Sequence, residues 1–568
     1  ILLNTRYVLK RNETVKKLLI SPDHSLLAYL VVHSAKEQGT LCIRDLSGRW
    51  ETVRIQNVFN MTWGENGAIY FTRLDATLRA SKVFRFDRSA GDSADKEELI
   101  YEALEDSAFL DVGRTKDGTD FYILNNSNNP TSLRLSCLPD STPLPATWAD
   151  TTEIFGAAED EKIEEVELFE DYAAVFLKEA GVGEVKVYQF ASGNWGRVRG
   201  WVGVGCLSVG ENRDYKSDVL RFEKSDPFTM STQYEWDMRR KELRTVWEQR
   251  PVGFPQDDFV TECNEVAGWD GVRIPVTLIR AKTVKLDGSP VLLHAYGAYG
   301  VAVEASFRLE FLPLLRRRFV IALAHVRGGS ELGRNWYEDG KAMKKENSFR
   351  DFEAVAEWMI GEGYCTKERM GAVGFSAGGM LLATVLNRRP DLFRAIILRA
   401  PFLDPLTAML NPSSSLSIVE RSEWGDPISS PSAYDYISNY APYDTIPHNA
   451  PFNTSILITM SADDQRVSVL AVLKWVARMR ERNREIYGMD GGRKLLCKIG
   501  EGYGHWEGDP GRRLEGMALE CAFLCRELGL GEFGEHEQSY QHSVPGGALS
   551  KHTENMIGDK HNVARRRE

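Results

Sequence analysis

The length and composition of the chain are those of an ordinary globular protein with more than one domain. It has 568 residues, of which 43% are hydrophobic and 27% are charged, which is enough for two or three domains. The net charge of -11 argues against the basic surface typical of a nucleic-acid-binding protein. No apolar run approaches the roughly 20 residues that span a bilayer.

The eight cysteines of the chain are scattered along it. Only Cys521 and Cys525 lie close together, and the helical stretch 514–528 that holds them contains no histidine. Zinc sites need a tighter grouping of Cys and His, so we expect free thiols, no metal site and no cofactor. Free thiols are typical of a reducing compartment, and we therefore expect a cytoplasmic location.

The first predicted region, residues 14–250, has the pattern of a β-propeller. Short apolar or alternating runs follow turn residues at intervals of roughly 40–55 residues, which is typical of propeller blades. A large β-sandwich is the alternative, and the blade count stays open because the repeats are degenerate. Such runs are 26–31, 68–71, 121–124, 172–177 and 185–190.

The second predicted region, residues 255–532, changes to an alternation of strands and helices. This alternation predicts a doubly wound, mostly parallel sheet. The compact apolar runs are 291–295, 320–324, 395–398 and 455–459, with helical stretches such as 349–362 and 468–482 between them. The polar segment 535–568 is rich in Gly, Ser, His and charge, and we expect it to be a disordered tail.

A serine between glycines stands at a predicted strand-to-helix turn, in the motif Gly-Phe-Ser-Ala-Gly at 374–378. The apolar run 370–375 precedes it and the helix-forming run 379–386 follows it. Small residues let the chain turn tightly there and lift the serine into solvent, as in a nucleophile elbow. We therefore predict that Ser376 is a catalytic nucleophile.

A serine nucleophile needs a base and an acid that orients the base, and in α/β-hydrolases these follow in the order Ser, Asp, His. Asp464 comes just after the apolar run 455–459, and Asp463 beside it is a rival for the same role. His505 lies in a glycine-rich segment after the next predicted strand. We predict Asp464 as the acid and His505 as the base.

The oxyanion of the tetrahedral intermediate needs two hydrogen-bond donors. One candidate is the backbone N–H of Ala377, directly after the nucleophile. The other is the hydroxyl of Tyr296, in the loop that follows the predicted strand 291–295. A tyrosine that only packs in the core is the alternative for Tyr296.

Seven motifs in one order resemble those of the prolyl oligopeptidase family of serine hydrolases, with oligopeptidase B and the prolyl endopeptidase-like proteins as the most similar branch. The nucleophile motif and the Gly-His pair at 504–505 are two of them. The others are Tyr-Gly-Ala-Tyr-Gly at 296–300, His-Val-Arg-Gly-Gly-Ser-Glu-Leu-Gly at 325–333, Ala-Pro-Phe-Leu-Asp at 400–404, Glu-Trp-Gly-Asp-Pro at 423–427 and Asp-Gln-Arg-Val at 464–467.

The resemblance implies a seven-bladed propeller that caps an α/β-hydrolase and admits only short peptides. It favours Asp464 over Asp463 and implies that Arg466 holds a carbonyl of the substrate. It also implies that Glu420 and Glu423 attract an Arg or Lys side chain, although Ser422 replaces an expected acid and Arg421 could neutralise a carboxylate. A solvated face or structural ion pairs are the alternative for the two glutamates.

The predicted propeller region is short for seven blades. Seven repeats of ~40–45 residues need roughly 280–315 residues, whereas the region 14–250 spans about 236. The chain also begins at Ile1, without an initiator Met or the layout of a signal peptide. A reduced cap, with a blade missing or incomplete, and an incomplete gene model both stay open.

The sequence therefore supports three functional hypotheses. The first is a serine oligopeptidase that cleaves short peptides, after Arg or Lys if the acidic pair selects them. The second is an esterase or thioesterase that uses the same Ser376, His505 and Asp464 on acyl substrates. The third is a non-enzymatic binding scaffold, against which the complete set of catalytic residue types counts.

Overall fold

The structure of the chain is a computed structural model. It describes residues 9–530 apart from 11–12, 22, 34–38, 48–50, 65–66, 75–79, 88–96, 103–109, 115–119, 126–133, 140–151, 157–160, 180, 202, 285–287, 413–419, 448–452 and 489–492. The predicted tail 535–568 lies outside the described residues.

The propeller half, residues 13–249, forms five four-stranded antiparallel sheets within the described part of the chain. Each sheet consists of four strands that follow one another in sequence. The strands are β1 Glu13–Ile20, β2 Leu26–His33, β3 Gly39–Asp45, β4 Glu51–Val58, β5 Asn60–Trp63, β6 Ile69–Leu74, β7 Ala80–Phe86, β8 Glu97–Glu102, β9 Leu110–Arg114, β10 Asp120–Asn125, β11 Arg134–Pro139, β12 Thr152–Gly156, β13 Glu161–Leu168, β14 Tyr172–Glu179, β15 Val182–Gln189, β16 Asn194–Arg197, β17 Cys206–Val209, β18 Val219–Asp226, β19 Thr229–Asp237 and β20 Glu242–Gln249.

Five sheets take up the whole propeller half at about 47 residues each. The resemblance implied seven blades, and the described residues form five. The shortage of blades follows from the length of the region. A strand with its turn needs about ten to twelve residues, so the four strands of one blade take up a whole repeat of this length.

Alternating side chains hold neighbouring blades together, because successive residues of a strand point to opposite faces. Leu30 of the first blade and Phe71 of the second share one buried core. Phe176 of the fourth blade and Phe222 of the fifth share another, with ring centroids 6.1 Å apart. These cores lie between the sheets, as in other stacked β-architectures.

The hydrolase half, residues 259–528, is built on one eight-stranded sheet. Its strands are β21 Phe259–Ala267, β22 Arg273–Ala281, β23 Val291–His294, β24 Val320–Ala324, β25 Met370–Phe375, β26 Ala395–Arg399, β27 Ser455–Ser461 and β28 Leu495–Gly500. Its helices are α1 Phe311–Arg316, α2 Gly333–Glu338, α3 Glu346–Gly361, α4 Ala377–Arg388, α5 Pro405–Met409, α6 Arg421–Trp424, α7 Pro431–Ser438, α8 Val469–Tyr487 and α9 Pro510–Glu527.

The sheet runs in the order β21-β22-β24-β23-β25-β26-β27-β28. The strands from β24 to β28 pair in parallel, and only β21 and β22 run antiparallel to their neighbours. The prediction of a doubly wound, mostly parallel sheet is therefore confirmed. The strand order reverses between β23 and β25, and open α/β sheets bind their ligands beyond the carboxyl ends of the strands at such a point.

The two predicted helices are present with shifted ends. The stretch predicted at 349–362 corresponds to α3, which begins three residues earlier and ends one residue earlier. The stretch predicted at 468–482 is α8, which runs on to Tyr487, with Ser468 as its N-cap. Serine hydroxyls favour this position because they accept an otherwise unpaired N–H of the first turn. Among the described helices, none is both long and apolar enough to cross a membrane.

The two halves pack together within one compact unit. Lys178 of β14 forms an ion pair with Glu304, which follows β23 in the hydrolase half. The Ser225 hydroxyl of β18 accepts the backbone N–H of Phe307 at 3.1 Å. These contacts place the propeller half against the segment that follows the Tyr296 loop.

Candidate active site

The turn between β25 and α4 holds Ser376 in a strained backbone conformation. Its φ of +54° and ψ of -115° lie outside the regions that side-chain-bearing residues prefer, and such strain is concentrated at functional sites. A Cβ on Gly374 would lie 2.3 Å from the carbonyl oxygen of Gly378. A Cβ on Gly378 would lie 2.8 Å from the carbonyl oxygen of Ala295. The two glycines therefore allow the tight approach that raises the serine above the sheet.

Three polar side chains from three different strand ends meet at this turn. The Ser376 hydroxyl lies 3.0 Å from Nε2 of His505. Nδ1 of the same imidazole lies 2.7 Å from Oδ2 of Asp464. Asp464 follows β27 and His505 follows β28, so the parallel sheet brings together residues that are far apart in the chain.

The Asp464 carboxylate is held for this contact by the backbone. Its side chain is fully buried, and its other oxygen accepts the N–H groups of Arg466 and Val467 at 2.8 and 2.9 Å. The carboxylate of Asp463, the alternative acid, instead accepts the N–H of Gly502 at 2.6 Å. The structure thus brings Asp464 and not Asp463 to the imidazole.

Two hydrogen-bond donors, predicted from the sequence, belong to residues near Ser376. The first N–H groups of a helix have no partner inside the helix, and Ala377 is the first residue of α4. The Tyr296 hydroxyl lies close to the Ser376 side chain. Burial raises the pKa of Tyr296, and the negative charge of Glu423 raises it further, so the hydroxyl stays protonated and able to donate.

The carboxylate of Glu423 is buried inside the hydrolase half and is paired with other protein groups. Its side chain is 2% exposed, and it accepts the N–H of Tyr299 at 3.0 Å and the hydroxyl of Tyr337 at 2.6 Å. The ammonium of Lys345, itself buried, lies 3.8 Å away. These partners satisfy the carboxylate without a substrate.

Glu420 is less enclosed than Glu423. It accepts the indole N–H of Trp424 at 2.9 Å and lies close to the Tyr299 side chain. Burial raises the pKa of Glu420, because a carboxylate loses hydration there. Arg421 lies 3.3 Å from Asp426, so its charge is directed to that residue.

Aromatic rings that the sequence reasoning missed surround the imidazole. The Phe375 ring centroid lies 4.8 Å from that of His505, and the Trp506 centroid lies 4.9 Å from it. The guanidinium of Arg466 lies 4.7 Å from the Trp506 centroid. Phe375 and Trp506 adjoin Ser376 and His505 in sequence, and that adjacency is the signal that could have found them.

The sheet, the turn at its switch point and the five four-stranded sheets define an α/β-hydrolase that carries a β-propeller. The sequence model of the prolyl oligopeptidase family matches residues 305–531, and that of its N-terminal beta-propeller domain matches residues 10–119. Dipeptidyl aminopeptidase BI of Pseudoxanthomonas mexicana is 30% identical over 512 residues, which cover 82% of this chain and 70% of the relative. The chain belongs to the prolyl oligopeptidase family of serine peptidases.

Further relatives and solved structures agree with this assignment. Protease 2 of Moraxella lacunata is 29% identical over 564 residues, which cover 90% of this chain and 79% of that protein. The structure of oligopeptidase B from Leishmania major is similar with a TM-score of 0.79 and 24% identity, covering 93% of this chain and 81% of that chain. This structural likeness concerns the fold.

Proposed function

We propose that the chain is a serine oligopeptidase that cleaves short peptides through an acyl-enzyme on Ser376. The observation that carries the proposal is the hydrogen-bonded series Ser376–His505–Asp464 at a strained strand-to-helix turn. A hydroxyl is a weak nucleophile, and a neighbouring imidazole oriented by a buried carboxylate removes its proton as it attacks.

In the proposed first step, Oγ of Ser376 attacks the carbonyl carbon while Nε2 of His505 takes the proton. The oxyanion receives hydrogen bonds from the N–H of Ala377 and the hydroxyl of Tyr296. The C–N bond then breaks, and His505 gives the proton to the leaving amine. A water molecule, deprotonated by His505, attacks the acyl-enzyme in the second step and releases Ser376.

We propose that Arg466 and Glu420 contact the substrate beside this centre. Arg466 is next to the acid of the triad and presents a planar donor suited to a peptide carbonyl. Glu420 is proposed to meet a basic side chain, since a positive charge would oppose the effect of burial on its pKa. Glu423 is proposed to position the site without contacting the substrate, through its contacts with Tyr299 and Lys345.

A cytoplasmic location is also part of the proposal. Cysteines of the described region carry free thiols, among them the neighbouring Cys521 and Cys525 of α9. Thiols at this spacing persist most readily in a reducing compartment.

An esterase or thioesterase activity is the second candidate. The observation that favours it is that Glu423 is paired with Tyr337 and Lys345. Of the two glutamates, Glu420 is then the one proposed to bind a basic side chain, which weakens selection for Arg or Lys. Esters and thioesters have better leaving groups than amides and depend less on a tight side-chain pocket.

Wild type, Ser376→Ala and the surface control Ser432→Ala are compared on an Arg-ended peptide amide and on an acyl thioester. Peptide turnover that is lost in Ser376→Ala but kept in Ser432→Ala supports the oligopeptidase. Turnover of the thioester alone supports the second candidate. Turnover of both substrates by Ser376→Ala at the wild-type rate refutes the triad.

A further inference from the structure

Trp506 is an exposed indole directly beside the proposed catalytic base. It follows His505 in the chain, its ring stands at 79° to the imidazole with the centroids 4.9 Å apart, and it is 59% exposed. Tryptophan is mostly buried in folded proteins and is enriched where surfaces bind a partner. What distinguishes Trp506 from other exposed tryptophans such as Trp269 is its contact with the imidazole of the proposed base.

The surroundings of Trp506 hold it in place without covering it. Phe375 lies 6.1 Å from its ring centroid, and the guanidinium of Arg466 lies 4.7 Å from it. A cation over an indole face is attracted by the ring quadrupole. The ring is thus fixed on the sides facing Phe375 and Arg466, and its open surface is available to a substrate.

The proposed mechanism locates the leaving group next to this ring. When the C–N bond breaks, the nitrogen takes the proton that Nε2 of His505 received from Ser376, so it must lie within hydrogen-bond distance of Nε2. The side chain carried by the leaving residue reaches several ångströms beyond that nitrogen. The indole, about 5 Å from the imidazole centroid, lies within that reach.

We propose that Trp506 is a specificity-determining residue that favours an aromatic or large apolar residue on the leaving side of the scissile bond. The inference rests on the proposed function of Ser376 and His505. Covering the open indole with an aromatic side chain removes apolar surface from water, which corresponds to about a tenfold gain in kcat/KM over an alanine. The gain is expected mainly in KM.

The test uses peptides that are identical except for Phe, Leu, Ala or Asp directly after the cleaved bond, together with the methyl ester of the same acyl segment. Wild type is expected to prefer Phe over Ala by about tenfold. Trp506→Ala is expected to reduce that ratio to about twofold or less, while the ratio of kcat/KM for the methyl ester to that for the Ala peptide stays as in wild type, because neither leaving group carries a side chain that covers the ring. Trp506→Phe is expected to retain most of the preference.

Trp269 provides a matched control. It lies on the turn between β21 and β22, is 57% exposed, and has the guanidinium of Arg350 4.6 Å from its ring centroid. Trp269→Ala is expected to leave the Phe-to-Ala ratio unchanged.

Two results would overturn the proposal. One is a wild-type Phe-to-Ala ratio within about twofold, or a ratio that Trp506→Ala does not change. The other is an equal loss of methyl ester and Phe peptide hydrolysis in Trp506→Ala, which indicates damage to the base. Failure of the proposed function looks different, because Ser376→Ala would then hydrolyse the same peptides as well as wild type.

Discussion

Replacing Tyr296 by Phe removes one hydroxyl and keeps the ring. In the resting site this hydroxyl lies close to the Ser376 side chain. As a tetrahedral intermediate forms, its oxygen gains negative charge, and a donor that is already oriented stabilises that charge more than it stabilises the neutral carbonyl. The variant therefore tests whether Tyr296 acts as an oxyanion donor or as a packing aromatic.

The expected loss follows from the number and type of donors. Removing one of two oxyanion donors in a buried site costs about 2.7–4 kcal/mol, or about 100- to 1,000-fold in kcat. The N–H of Ala377 remains, so activity is reduced and not abolished. KM is expected to change by less than about threefold, because the uncharged carbonyl of the bound substrate gains little from this donor.

The pH profile supplies a second measurement. A phenol donates a hydrogen bond only while it is protonated, and burial, which disfavours the phenolate, raises the pKa of Tyr296. Ionisation of this tyrosine should therefore contribute no loss of activity up to about pH 10, its ordinary pKa. Wild type and Tyr296→Phe are expected to show parallel profiles on the alkaline side.

The assay is steady-state hydrolysis of the peptide amide from pH 6 to about pH 10, within the ordinary titration range of tyrosine. Tyr503→Phe is the control, because it removes a hydroxyl that donates to the carbonyl of Met460 at 3.1 Å near the same site. That control should stay within about threefold of wild type. A loss of less than about fivefold in Tyr296→Phe would refute the oxyanion role.

Three more predictions concern the turn, the core and the thiols. Gly374→Ala should reduce kcat more than 100-fold, by the order of magnitude of a lost oxyanion donor, because its Cβ would lie 2.3 Å from a backbone oxygen; peptide hydrolysis measures it. Asp351→Ala should lower the free energy of unfolding by about 3–5 kcal/mol in urea titrations. Its buried carboxylate accepts hydrogen bonds from Nε and Nη2 of Arg327 at 2.9 and 2.6 Å, and its loss leaves the buried guanidinium with Asp270 as its remaining carboxylate partner. Iodoacetamide at pH 8 should label the exposed Cys263 well before Cys365. Burial disfavours the thiolate and raises the pKa of Cys365 to about 12, so labelling followed by mass spectrometry should reach it only after unfolding.

Each of these predictions has a control and a contrary result. Gly361→Ala, where a Cβ meets open space, should leave hydrolysis unchanged, and an equally active Gly374→Ala would contradict the steric argument. Glu357→Ala breaks an exposed ion pair and should cost at most about 1 kcal/mol; an equal cost for Asp351→Ala would contradict the burial argument. Native labelling of Cys365 as fast as Cys263 would contradict the third.

The elements of the hydrolase half could be predicted because their signals are local. The alternation of apolar runs and helical stretches from 288 onward predicts parallel strands, and the small residues around Ser376 predict the turn that the structure contains. The ends of α3 and α8 were less well predicted, since the last turn of a helix depends on caps and on tertiary contacts.

The candidate site could be predicted only in part from the types of residues in the sequence. Asp463 and Asp464 both follow β27 and carry the same side chain, so the residue type does not distinguish them. Their difference is set by backbone partners, because the N–H groups of the following turn hold one carboxylate toward His505 while Gly502 takes the other. The resemblance to a family favoured Asp464, and the tertiary structure gives the physical reason.

The charges of Glu420 and Glu423 were visible in the sequence, but their partners were not. Lys345 and Tyr337 lie about 80 residues earlier in the chain and reach Glu423 only through the packing of α2, α3 and α6. The sequence by itself determined the order of elements and the tight turn at Ser376, because both depend on periodicity and on steric demands among neighbouring residues. Only the tertiary structure decided which carboxylates are enclosed, how many blades the described residues form, and that Trp506 is exposed beside His505, because these depend on pairing between distant segments.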